Sequence, residues 1–89
     1  MKTFARTPKF KRQAKALFKK HFNPLELEAV LEMLSAELAL PAKYHDHALI
    51  GDMQGYRECH IEKNWLLVYR MTETEIILVA TGSHDDLFK

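Results

Sequence analysis

Residues 56–71 hold two alternating runs, Tyr56-Arg57-Glu58-Cys59-His60-Ile61-Glu62 and Trp65-Leu66-Leu67-Val68-Tyr69-Arg70-Met71, separated only by Lys63-Asn64. Strand-forming runs on either side of a two-residue join have one compact solution, an antiparallel hairpin, so this stretch settles the middle of the fold. Successive strand side chains point to opposite faces. Arg57, Cys59 and Ile61 therefore share one side, and Tyr56, Glu58 and His60 the other. A polar, titratable face backed by an apolar one is how a sheet carries a site over a core. The flanks add His45-Asp46-His47 just before the hairpin and Thr81-Gly82-Ser83-His84 just after the next strand, so four of the five histidines gather around one predicted sheet.

With 89 residues and 47% apolar composition, the chain makes a single domain over residues 1–89. A domain of this size buries roughly 60–65% of the surface its unfolded chain exposes, enough to fold alone with little margin. The lone cysteine, Cys59, excludes an internal disulfide and points to a reducing compartment. Lys2, Arg6, Lys9, Lys11 and Arg12 interrupt the N-terminus, and no apolar run approaches the ~18 residues a membrane span needs. Neither an export signal nor a membrane partner is read, and the expected location is the cytoplasm.

The net charge of +1 conceals a segregation. Residues 1–22 carry eight Lys or Arg and no carboxylate, standing at +8, while residues 23–89 stand at −7. A helix that needs only solubility mixes its signs. A one-signed face instead focuses potential toward a polyanion.

Residues 2–6, with Thr3 and Phe4, are compatible with a brief strand. Thr7-Pro8 supplies a cap and a first-turn proline, after which Phe10, Ala14, Leu17 and Phe18 recur at helical spacing with lysines on the remaining arc. Asn23-Pro24-Leu25-Glu26 repeats the device. Leu27, Val30, Leu31, Leu34 and Leu38 then form the stripe of a second helix, read as ending at Leu40-Pro41. The two helices should pack as a hairpin against the sheet. From Pro41 to Gly55 periodicity is lost, which predicts an irregular segment. Ile76-Ile77-Leu78-Val79-Ala80 reads as an interior strand, and Ser83 as the cap of a final turn through Asp85 and Asp86. The class is α+β, with a helical hairpin on a small, mostly antiparallel sheet of three to four strands.

Three uses of the histidines compete. A zinc site would take His45 and His47 with His60 or His84, but a structural zinc site usually wants more thiolates, and Cys59 alternates onto the face opposite His60. The same opposition argues against a Cys-His nucleophile pair and reads Cys59 as core. General acid–base work on a phosphodiester needs a proton acceptor, a proton donor and cations for the developing charge. Arg57 and Arg70 are the cations near the sheet, although alternation puts Arg57 on the side of Cys59. Trp65 is either a core aromatic or a base-stacking platform, and Phe88 either a packing anchor or a stacking contact.

Leu40-Pro41-Ala42, His45-Asp46-His47-Ala48-Leu49, Gly55-Tyr56-Arg57-Glu58-Cys59-His60-Ile61, Trp65-Leu66-Leu67-Val68-Tyr69 and Thr81-Gly82-Ser83-His84-Asp85-Asp86-Leu87-Phe88 together resemble the YafQ branch of the RelE/ParE toxin superfamily. The resemblance covers nearly the whole chain. It implies a RelE-like fold and a bacterial type II toxin, a metal-independent endoribonuclease without cofactor that cuts messenger RNA, typically on the ribosome. It also implies an antitoxin partner that wraps the toxin and blocks its site, with operator DNA engaged only through that complex. By position, His47, His60 and His84 fall on the family's functional histidines, Trp65 on its aromatic and Phe88 on its C-terminal aromatic. The expected chemistry is attack of the ribose 2′-hydroxyl on the adjacent phosphate, with His84 as acid and His47 or His60 as base. Arg57, Asn64, Trp65, Arg70 and Phe88 form the expected RNA-binding set, and the basic first helix faces ribosomal RNA. Asn64 stands where the family carries an aspartate and Ala80 where it tends to carry an arginine. Two rival readings are a ParE-like toxin that inhibits a protein target and a weakened member acting only with antitoxin and operator.

Overall fold

In the computed structural model, which describes residues 2–88 apart from the side chain of Phe88, the elements run β1 (Thr3–Arg6), α1 (Pro8–Lys19), α2 (Pro24–Ser35), β2 (His47–Ala48), β3 (Arg57–Glu62), β4 (Trp65–Met71), β5 (Glu75–Gly82) and α3 (His84–Phe88). Short 3-10 turns at Ala42–Tyr44 and Gly51–Met53 interrupt the segment between α2 and β3. Both long helices start as the sequence indicates. Thr7 Oγ1 accepts from the Phe10 amide at 3.1 Å, and Asn23 Oδ1 accepts from the Leu25 amide at 3.0 Å, each satisfying a first-turn N–H that has no partner within the helix.

The helices also end alike. His21 and Glu37 take left-handed φ angles of 70° and 59°, and the next amides, of Phe22 and Leu38, donate back to the Leu17 and Met33 carbonyls at 3.1 and 3.0 Å. This closure satisfies the last carbonyls and turns the chain sharply. It ends α2 at Ser35, earlier than the Leu40-Pro41 boundary expected from the sequence, and leaves Leu38 60% exposed rather than on the buried stripe.

The sheet has five strands in the order β1-β5-β4-β3-β2, which corrects the expected three to four. Three pairings are antiparallel, and β1 runs parallel to β5 with Phe4 opposite Ile76. The count was missed for a physical reason. β2 is two residues long and β1 four, too short to show a period of two, and a parallel partner far along the chain leaves no local turn signal. The central hairpin forms as read, with Glu62 opposite Trp65 across Lys63-Asn64. Asn64 adopts φ 62°, a left-handed conformation that asparagine tolerates better than most residues.

One sheet face carries Cys59, Ile61, Trp65, Leu67, Tyr69, Ile76 and Leu78, packed against Phe10, Ala14 and Leu17 of α1 and Leu27, Val30 and Leu34 of α2. Leu66, Val68 and Ala80 are buried outside that cluster, on the opposite face. Among the described residues no helix is long and apolar enough to cross a membrane.

Candidate active site

Cross-strand register places the chemistry on the face away from the long helices. Across β2, β3, β4 and β5, His47 pairs with Glu58, Glu58 with Val68, and Val68 with Ala80. In the adjoining row His60 pairs with Leu66 and Leu66 with Gly82. Residues directly opposite share a face, so His47, Glu58 and His60 project together. Two strand spacings of roughly 5 Å each separate His60 from Gly82, and His84 follows two residues later.

Glu58 is the centre of the arrangement and was absent from the expected site. It is 6% exposed, and its Oε1 lies 3.5 Å from His47 Nε2 and 3.7 Å from His60 Nε2. One carboxylate oxygen thus faces two imidazoles at once. The alternation that paired Glu58 with His60 in sequence was the available signal. His47 Nδ1 lies 2.6 Å from the His45 carbonyl oxygen. A carbonyl only accepts, so Nδ1 carries the proton, and Nε2 of the neutral ring is the atom that can receive one. The His45 ring, which follows a left-handed backbone at φ 48°, sits 5.2 Å from the His60 ring. His45 therefore belongs to the cluster as well.

His84 is fixed differently. The Ser83 amide donates to Asp86 Oδ2 at 3.0 Å, and the Asp86 amide donates to Ser83 Oγ at 3.2 Å, a reciprocal cap that sets the first residue of α3, exposed His84. Gly82 makes this turn possible: its φ is 156°, and a Cβ there would meet Asp86 Oδ2 at 3.0 Å.

The RNA-binding expectations divide. Trp65 is fully buried, its Nε1 donating to Thr81 Oγ1 at 2.9 Å and its ring meeting Phe22 edge-on at 5.2 Å, so it is a core residue and not a stacking platform. Arg57 is also corrected. Its Nε and Nη2 donate to Asp46 at 3.3 and 3.2 Å on the side of Cys59, as strict alternation requires, and it does not reach around to the histidines. Arg70, by contrast, alternates onto the histidine face, where its guanidinium lies 6.0 Å from the Tyr56 ring centroid. Asn64 is exposed at the hairpin turn. The side chain of Phe88 lies outside the described residues.

Cys59 is fully buried, and burial pushes its thiol up to about 12. Burial, together with its hydrogen bond to Asp46, likewise raises the Tyr69 phenol. Both groups hold their protons more tightly folded than unfolded. The stability they contribute is therefore complete below the unfolded values and declines by up to about 1.4 kcal/mol per pH unit per group as pH rises above them. Iodoacetamide at pH 8 is expected to label native Cys59 roughly 1,000-fold more slowly than in the urea-unfolded chain, measured by mass spectrometry. Comparable rates would place the thiol at the surface.

A groove of about 670 Å³ between α1 and α2, floored by Phe10, Phe18 and Leu31 and edged by Lys11, Lys15 and Lys19, is the larger concavity but lies away from the histidines. A cavity of about 540 Å³ reaches His45, His60 and Lys63. It touches neither His47 nor His84: the structure brings His47 and His60 to one carboxylate, while His84 begins α3 two residues beyond Gly82.

The chain is similar to known proteins in both sequence and fold. The family model for the bacterial toxin of type II toxin-antitoxin systems, YafQ, matches residues 2–89. The mRNA interferase toxin YafQ of Escherichia coli (strain K12) is 35% identical over 80 residues, covering 89% of this chain and 87% of the relative. The E. coli DinJ-YafQ complex contains a chain that superposes with a TM-score of 0.91 at 31% identity, over all of both chains. A metal-bound toxin from Helicobacter pylori superposes with a TM-score of 0.93 at 39% identity, over 99% of this chain and 100% of that one. In the present chain, no three His, Cys, Asp or Glu side chains among the described residues converge as metal ligands would. On the match over residues 2–89 and on the shared fold, the chain belongs to the YafQ family of type II toxin–antitoxin toxins.

Proposed function

We propose that this protein is an mRNA interferase, an endoribonuclease toxin that cuts messenger RNA on the ribosome by histidine acid–base chemistry without a metal. The observation that carries the reading is the buried Glu58 carboxylate within 3.7 Å of two imidazoles on one sheet face, with His84 set by the α3 cap near the end of the adjoining row. His47 Nε2 takes the proton of the ribose 2′-hydroxyl. The 2′-oxygen then bonds to phosphorus, the bond from phosphorus to the 5′-oxygen breaks, and His84 protonates the departing oxygen. Glu58 holds the imidazolium that forms on His47, and His60 shares the same carboxylate. Arg70 is the cation on this face for the phosphate charge. Ala80 lies in the row of His47 and Glu58 and offers no second one. Removing a donor to the transition state costs about 3–4 kcal/mol in well-studied enzymes, so a slower enzyme than arginine-bearing relatives is the consequence.

Lys9, Lys11, Arg12, Lys15, Lys19 and Lys20 are all exposed on or just beyond α1 and provide the phosphate-facing surface toward ribosomal RNA. The antitoxin would be a dedicated protein partner, as DinJ is for E. coli YafQ, with operator DNA reached only through that complex and action in the cytoplasm. Translating ribosomes incubated with the purified protein should show new RNA 5′ ends above background. Their absence at every dose would abandon the nuclease reading and favour inhibition of a protein target.

A further inference from the structure

We infer that Asp46, held by Arg57 and Tyr69, is the positioning residue of the catalytic face, fixing the backbone from which His45 and His47 reach the site; this rests on the function proposed above. The Asp46 carboxylate accepts from Arg57 Nε at 3.3 Å, from Arg57 Nη2 at 3.2 Å and from the Tyr69 hydroxyl at 2.6 Å. Arg57 and Tyr69 are opposite each other on β3 and β4, and Tyr69 is 1% exposed, so the clamp is built into the core side of the sheet.

The element it steadies is weak by itself. β2 has only two paired residues, His47 and Ala48, and is preceded by a left-handed residue at His45. Two ladder positions at a sheet edge fray readily. Asp46 points to the helix-side face, so alternation sends His47 to the other, where its Nε2 comes within 3.5 Å of Glu58. The same short segment supplies the His45 carbonyl that meets His47 Nδ1 at 2.6 Å, and the His45 ring that lies 5.2 Å from His60. A shift of residue 46 therefore disturbs two imidazoles together, although Asp46 itself faces away from the substrate.

The test uses the full chain with Asp46→Ala, Asp46→Asn and Tyr69→Phe. Steady-state RNA cleavage is measured alongside the ring ¹H–¹⁵N correlation of His47, assigned by comparison with His47→Gln. Asp46→Ala should lower kcat by about 100-fold, the scale on which a misplacement near 1 Å acts, with KM within about twofold. Asp46→Asn, whose amide oxygen still accepts from Tyr69, should recover about tenfold of that loss. The Nδ1–H tautomer signature of His47 should give way to averaging in Asp46→Ala and persist in Asp46→Asn. Tyr69→Phe keeps the packed ring and removes one oxygen, so it decides the matter if Asp46→Ala does not fold: kcat and the His47 signature must both move. Wild-type kcat with an unaltered ring signature in a folded variant overturns the inference, as does a loss of stability alone. Should the wild-type protein cut no RNA, the proposed function fails, and the ring spectra by themselves decide whether Asp46 positions His47.

Discussion

His47→Gln is expected to slow RNA cleavage by about 10²- to 10⁴-fold, the usual contribution of a general base, with KM nearly unchanged. Glutamine preserves reach and hydrogen bonding but cannot take a proton. The hydrogen bond from His47 Nδ1 to the His45 carbonyl leaves Nε2 as the accepting atom, and Glu58 at 3.5 Å stabilises the charge that follows. Single-turnover cleavage on ribosome-bound messenger RNA is the measurement. A variant that cuts at the wild-type rate would assign the base elsewhere, with His60, 3.7 Å from the same carboxylate oxygen, next in line.

Trp65→Ala should destabilise the fold by about 3–5 kcal/mol, the range for deleting a large buried aromatic. The ring is 0% exposed, packs edge-on against Phe22, and spends its one polar atom on Thr81, whose hydroxyl in turn donates to the Leu66 carbonyl at 2.8 Å. In a domain this small each kcal/mol moves Tm by roughly 4–8 °C, so a drop of at least about 12 °C should be seen by calorimetry. Trp65→Phe separates packing from recognition: it should cost stability through the lost Thr81 bond while leaving RNA affinity within about twofold, because a ring sealed in the core contacts no base. A large loss of affinity in stable Trp65→Phe protein would return the indole to the binding surface.

Much of this arrangement was legible in the sequence because its signals are local. The Lys63-Asn64 join, the Thr7 and Asn23 caps, the Ser83 cap and the apolar run at Ile76–Ala80 each depend on residues within a few positions of one another. The face that unites Glu58 with His60 followed from a period of two. The failures concern a local turn that no residue type announces and interactions that cross the chain. Helix α2 stops where Glu37 turns left-handed without a glycine to announce it, and β1 finds its parallel partner some seventy residues away. Trp65 could have faced either way until the Phe22 that follows the end of α1 was brought against it.

The sequence by itself determined the hairpin, the two helices, the segregated positive charge on the first of them and the residue types able to move protons, because nearest-neighbour geometry and backbone chemistry decide these things. Only the tertiary structure decided that His47 joins the face of Glu58 and His60, and what holds each group there. That outcome is set by strand register, where a slip of a single residue would send Glu58 and His60 to the opposite side of the sheet. The tertiary structure also supplied Arg57, which alternation already turns away from the imidazoles, with its counter-ion Asp46 from a segment eleven residues earlier.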